Sequence, residues 1–236
     1  MEQPLTLVEH LNELRKRIIV SLAVLGIATI ASFPLASYIL KILKFPAAEY
    51  IKTLVFFSPQ EAFMVYMRIA FFSGFLIALP VILYQVWAFV SPAIEERFKR
   101  YTAYFTFFCS FFFIAGCLFA YFILIPPALK FLLSFAKDDL EPVISAQKYI
   151  SFVIGLILGG GLVFQMPVLS FILAKLKIIS AQFLRRKYKY AIIIIFIAAA
   201  IITPTPDAFN MLLLSLPMLV LYELSIWVTK LARNPR

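Results

Sequence analysis

Four long apolar runs dominate the chain, at residues 18–40, 69–90, 101–125 and 149–174. Each can supply the roughly 20 residues that a helix needs to cross a hydrocarbon core of about 30 Å. Two later runs are shorter: 191–202 holds 12 residues and 209–222 holds 14. At about 1.5 Å of rise per residue each reaches only about 20 Å, so local bilayer thinning or a re-entrant hairpin is expected there. With its polar flank the last span is placed at 209–228. Ahead of the first run, Leu7, Leu11, Leu14 and Ile18 recur at helical spacing, which predicts an amphipathic interfacial helix over 5–17. Residues 41–68 and 128–148 mix prolines and charges with apolar positions and are expected to form caps on one face, outside the lipid. Pro34 is expected as a tolerable kink in the first span, the second carries Pro80, and Pro126-Pro127 are expected to close the third. The pattern predicts an all-α integral membrane protein: one polytopic domain over 1–236 with six transmembrane helices, the last two short.

Composition agrees with the pattern. Of 236 residues 63% are hydrophobic and 14% charged, with mean hydropathy +0.96, which leaves no stretch resembling a separate soluble domain. The net charge of +10 is informative through its distribution. Sorting Lys and Arg by alternate loops puts 15 on the side of both termini, the 95–100 loop and the 175–189 run, against 7 on the other side. The positive-inside rule then predicts cytoplasmic N- and C-termini in a multi-pass protein of the cytoplasmic (inner) membrane. Nucleic acid is not an expected partner; anionic membrane lipid is. Cys109 and Cys117 lie within one apolar run and read as small hydrophobes rather than a disulfide framework.

Enzymatic chemistry finds little material. His10 is the one histidine and reads as a helix-surface residue at the interface. Asp207 has no second aspartate to form an intramembrane acid pair, and no phosphate-binding loop is present. No enzyme activity, cofactor or metal is therefore expected. The polar positions that remain are acidic residues on the basic side: Glu9 and Glu13, one turn apart on the N-terminal helix, and Glu95 and Glu96 after the second span. They fit either a cationic ligand or local neutralisation, since Glu13 has Lys16 and Arg17 within one turn. Gln165 stands near the middle of the fourth span, where an amide must face protein or water. Glu223 interrupts the last run and is expected to reach the interface near Lys230 or to cap the bundle.

The segments HLNELRKR at 10–17, PVILYQVWAFVSP at 80–92, AYFILIPPALKFL at 120–132, TPTPD at 203–207 and LPMLVLYELS at 216–225 resemble the TatC family, the multispanning core of the twin-arginine protein translocase. The resemblance runs from about residue 4 to the last span. It implies a receptor that binds signal peptides carrying two consecutive arginines and exports folded cargo proteins using the proton-motive force. It also implies an oligomeric complex with the single-span partners TatA and TatB. By the same resemblance Glu13 matches a signal-peptide carboxylate and Phe89 an aromatic of that surface. Ungapped counting puts the second carboxylate position at Phe98, so Glu96, with Glu95 behind it, is its nearest acid. Gln165 stands where the family usually carries Glu. A secondary transporter and a purely structural membrane subunit are the competing readings.

Overall fold

The computed structural model describes residues 7–48, 50–51, 53–90, 102–134, 143–203, 205 and 207–233. Among these the fold is helical, and the one β-type pairing is an isolated bridge between Val55 and Ser145. Contacts divide the chain into two compact units, one of residues 1–39 and 66–110, the other of 40–65 and 111–236.

Helix α1, Leu7–Ser32, merges the expected interfacial helix with the first span. Arg15, Lys16 and Arg17 are good helix formers, and no proline intervenes before Pro34. At Pro34, where a kink is expected, a 3-10 turn, Phe33–Leu35, interrupts the α-helix and leads into α2, Ala36–Lys44. Helix α3, Pro59–Val90, starts well before the apolar run at 69 and runs through Pro80. The reason is local: in Ser58-Pro59-Gln60-Glu61 the Ser58 hydroxyl accepts from the Glu61 N–H at 3.3 Å and proline occupies the first helical position. Residues 59–68 are thus helix rather than irregular cap.

The third span departs from expectation at its prolines. Helix α4, Thr102–Phe119, passes into a π-helical turn, Ala120–Leu124, and then α5, Ile125–Ser134. Pro126 and Pro127 fall in the first turn of α5, where a missing N–H costs least, so they begin a helix instead of ending one. Helix α6, Ala146–Val163, is capped by Ser145, and after a turn at Phe164-Gln165 comes α7, Met166–Lys175. The short α8, Ala181–Arg186, is capped by Ser180. It precedes α9, Tyr188–Ile202, and α10, Ala208–Arg233.

Among the described residues five helical stretches are long and apolar enough to cross a membrane, and α9, with 15 residues, is a shorter apolar helix. Of the two segments expected to be short, α9 is so and α10 is not: its 26 residues carry the helix past Tyr222 to Arg233. The apolar count stops at Glu223, but that carboxylate is paired with Arg185 at 2.9 Å, so the charge does not end the helix.

In the first unit α1 and α3 run antiparallel. Gly74 lies so close to α1 that an added Cβ would stand 2.6 Å from the Thr29 backbone. In the second unit the core gathers Ala120, Leu124, Val163, Ala199, Leu214 and Met218. The glycine triplet sits where close approach demands it: a Cβ on Gly160 would stand 2.7 Å from both the Gly116 carbonyl oxygen and the Ala120 side chain. The two segments read as caps also meet in this unit. Val55 donates its N–H to Ile144 O at 3.1 Å and accepts from the Ala146 N–H at 2.8 Å. Buried Glu61 accepts from the Ser145 hydroxyl, the Phe57 N–H at 2.8 Å and the Gln147 N–H at 3.2 Å.

Candidate functional site

Positions 10, 13 and 17 of α1 lie along one helical stripe, and Gln85 and Phe89 lie one turn apart on α3. The antiparallel packing brings these stripes together within the first unit. The His10 ring stacks on Phe89 with centroids 4.5 Å apart and planes inclined by 26°. One to two turns further along α1, Arg17 donates Nε to Glu13 Oε1 at 3.1 Å and Nη2 to the same oxygen at 2.5 Å. Its remaining terminal nitrogen, Nη1, donates to Gln85 Oε1 at 3.1 Å. The two motifs at 10–17 and 80–92 are therefore joined at two rungs, one aromatic and one charged.

The electrostatics of the charged rung are specific. Glu13 precedes Arg17 by four residues, the favourable order for an ion pair on a helix. Their side chains are 26% and 23% exposed, so the pair is partly desolvated and stronger than a free surface pair. Both donors fall on Oε1, and among the described residues Oε2 of Glu13 takes none. The site consists of a carboxylate that holds a guanidinium through one oxygen, a second oxygen that takes no donor among the described residues, and a stacked aromatic pair about one turn away.

Of the residues expected to form the site, Glu13 and Phe89 are thus brought to one helix pair. Glu9 lies on α1, with its side chain outside the described residues, and Glu95 and Glu96 also lie outside them. Gln165 and Glu223 belong to the second unit. Gln165 is half-buried at the turn before α7, its backbone carbonyl accepting from the Leu169 N–H at 2.9 Å. Glu223 reaches Arg185 of α8 rather than the Lys230 end of its own helix, and the adjacent Tyr222 hydroxyl donates to Leu184 O at 2.9 Å. Two participants escaped the sequence reading, His10 as a stacking partner and Gln85 as a charge-rung acceptor. Gln85 carries the same signal as Gln165, a lone amide inside an apolar run.

The profile of the family described as Sec-independent protein translocase protein (TatC) matches residues 9–217. The chain belongs to the TatC family. A TatC from Carboxydothermus hydrogenoformans is 40% identical over 229 residues, covering 97% of this chain and 94% of that protein. One from Aquifex aeolicus is 40% identical over 237 residues, covering 99% and 97%. A crystal structure described as twin arginine translocase receptor TatC superposes with a TM-score of 0.85 at 39% identity, covering 96% of this chain and all of that one. The family resemblance seen in the motifs is thereby established, together with the all-helical membrane fold. The chain is a multi-pass membrane component of the Sec-independent translocase, a transport subunit rather than an enzyme.

Proposed function

We propose that this chain is the receptor core of a twin-arginine translocase, resident in the cytoplasmic membrane with both termini cytoplasmic. Signal peptides bearing two consecutive arginines bind at Glu13, with Phe89 packing beside the peptide and Glu96 or Glu95 supplying the second carboxylate. Glu9 adds negative potential on the same helix. The receptor assembles with TatA and TatB, and folded cargo crosses at the expense of the proton-motive force.

The observation that carries this reading is the Glu13–Arg17 pair. A carboxylate that holds one guanidinium by two N–H groups, with no donor on its second oxygen among the described residues, has the chemistry to take another arginine. Arginine presents a planar fork of donors, whereas lysine presents a compact point charge. A site of this kind therefore separates twin-arginine from twin-lysine peptides by geometry.

The test is titration of the purified protein in detergent with a twin-arginine signal peptide and its twin-lysine counterpart. The arginine peptide should bind at least about tenfold tighter, roughly 1.4 kcal/mol. Equal affinities would remove the receptor reading and leave a subunit of the translocase with some other task.

A further inference from the structure

The connection between α2 and α3 is held at both ends by side chains of the second unit. Leu43, Ala47 and Ile51 are buried and recur every four positions, so its apolar side faces inward. Its 3-10 turn, Phe45–Ala47, packs against α5. At its start the Tyr121 hydroxyl donates to Ile42 O at 2.7 Å and the Tyr149 hydroxyl to Leu43 O at 2.8 Å. Ile42 O is the carbonyl that a continuing helix would join to the N–H of residue 46, and residue 46 is proline. Tyr121 thus supplies the donor that Pro46 lacks. The two tyrosines come from different spans, Tyr121 from the π-helical turn of the third and Tyr149 from α6. Since they bond neighbouring carbonyls, sliding one span past the other would break one of the two bonds.

At the far end the tie is a carboxylate. Glu61, in the first turn of α3, accepts from the Phe57 N–H at 2.8 Å through Oε2, and from the Ser145 hydroxyl and the Gln147 N–H at 3.2 Å through Oε1. Ser145 and Gln147 open α6, so one side chain joins the connection, α3 and α6. Each of its oxygens faces an N–H, which a carboxylate satisfies on both sides and an amide on one only. We propose that this connection is a fixed strap, clasped by Glu61, which keeps the starts of α3 and α6 and the turn of the third span as one piece throughout transport. The motions of the transport cycle then fall outside this tie, and none of the residues proposed to bind the signal peptide takes part in it.

The test is alkylation of a thiol placed under the strap. Ile51→Cys puts one at a position only 4% exposed, and Thr53→Cys puts one at an exposed position of the same segment. The parent, whose Cys109 and Cys117 are buried, sets the background. Membrane vesicles from cells carrying each variant are treated with N-ethylmaleimide, at rest and while exporting a folded cargo protein. The thiol at 51 should react slowly at rest and no faster during export, while the thiol at 53 reacts readily in both. Adding Glu61→Gln should speed the reaction at 51 by at least about tenfold, because labelling follows the open population and a bond to a charged group is lost. Tyr121→Phe, which keeps the ring and removes one neutral donor, should speed it about fivefold, and it decides the matter where the Glu61 variant does not accumulate. Three results would overturn the proposal: rapid reaction at 51 in the resting protein, faster reaction there during export, or unchanged protection in a folded Glu61→Gln or Tyr121→Phe variant. The second would make the strap a lid that opens in each cycle.

Discussion

Arg17 and Glu13 meet through a single carboxylate oxygen, with Nε at 3.1 Å and Nη2 at 2.5 Å from Oε1. The pair resembles in miniature the contact that a twin-arginine ligand needs, made by the chain with itself. Because Nη1 continues to Gln85 at 3.1 Å, the same guanidinium also fastens α1 to α3. In the proposed receptor, structural and recognition roles thus converge on one cation.

Replacing Arg17 separates them. In Arg17→Gln the tie to Gln85 and the ion pair are both lost, and stability should fall by about 1 kcal/mol, the upper end for a pair this exposed. Glu13 is left without its resident arginine, so twin-arginine peptide should bind at least as tightly as to the parent. Thermal unfolding and peptide titration on the same preparation read the two effects. Loss of peptide binding in a folded variant would show that Arg17 orients Glu13 instead of competing for it.

The glycine contact offers a sharper stability test. Gly160→Ala puts a methyl group 2.7 Å from the Gly116 carbonyl oxygen and from Ala120, and neither backbone nor packed alanine yields easily. The expected cost is about 1 to 3 kcal/mol. Gly26 has nothing within 4 Å of an added Cβ, so Gly26→Ala should be neutral or stabilising by up to about 1 kcal/mol, the gain in helix propensity. Thermal denaturation in one detergent decides both, and similar melting temperatures for the two variants would contradict the packing described.

Span positions were legible because an apolar run long enough to cross lipid has few alternative readings. Helix ends were not, because they depend on particular neighbours. The start of α3 was written in Ser58-Pro59-Gln60-Glu61, a capping signal overlooked among the polar residues of a supposed cap. Pro126-Pro127 read as a stop, and only the preceding π-helical turn, Ala120–Leu124, makes them a start. Glu223 shortened the last run on paper, since its partner Arg185 lies 38 positions earlier. The site shows the same division. Glu13 and Phe89 are candidates that motifs supply, whereas the pairing of His10 with Phe89 and of Arg17 with Gln85 is tertiary information that no local pattern holds.

Asp207 caps α10, accepting from the Asn210 N–H at 2.7 Å and the Asn210 side chain at 2.8 Å. Burial by itself would raise its carboxyl, but the hydrogen bonds from Asn210 and Thr205 outweigh it and hold the group below its ordinary value of 3.8. A carboxyl lowered in the folded state contributes stability that is present above the unfolded value and lost as pH falls through the folded one. Asp207→Ala should cost about 1 kcal/mol at neutral pH, as for other N-caps. The gap between parent and variant should narrow as the pH drops below 3.8. Melting temperatures followed from neutral pH into that range measure it, and a gap independent of pH would mean that the charge contributes nothing.

The last prediction concerns the recognition carboxylates. Glu13→Gln keeps the size of the side chain and its acceptor oxygen but removes the charge, so Arg17 keeps a weaker hydrogen bond and an incoming arginine loses its counter-charge. Glu96→Gln does the same at the second proposed position. Each variant should fold, because Glu13 is on the partly exposed surface of α1 and its pair contributes little to stability. Together they should weaken twin-arginine peptide binding by more than about tenfold, roughly 1.4 kcal/mol. They should also flatten its dependence on salt, since fewer charges remain to be screened. The salt series distinguishes this from general damage, because a misfolded receptor would lose affinity at every ionic strength alike. Loss of binding with Glu95→Gln in place of Glu96→Gln would move the second carboxylate by one residue. Undiminished binding after replacement of all three acids would place the twin-arginine site elsewhere in the chain.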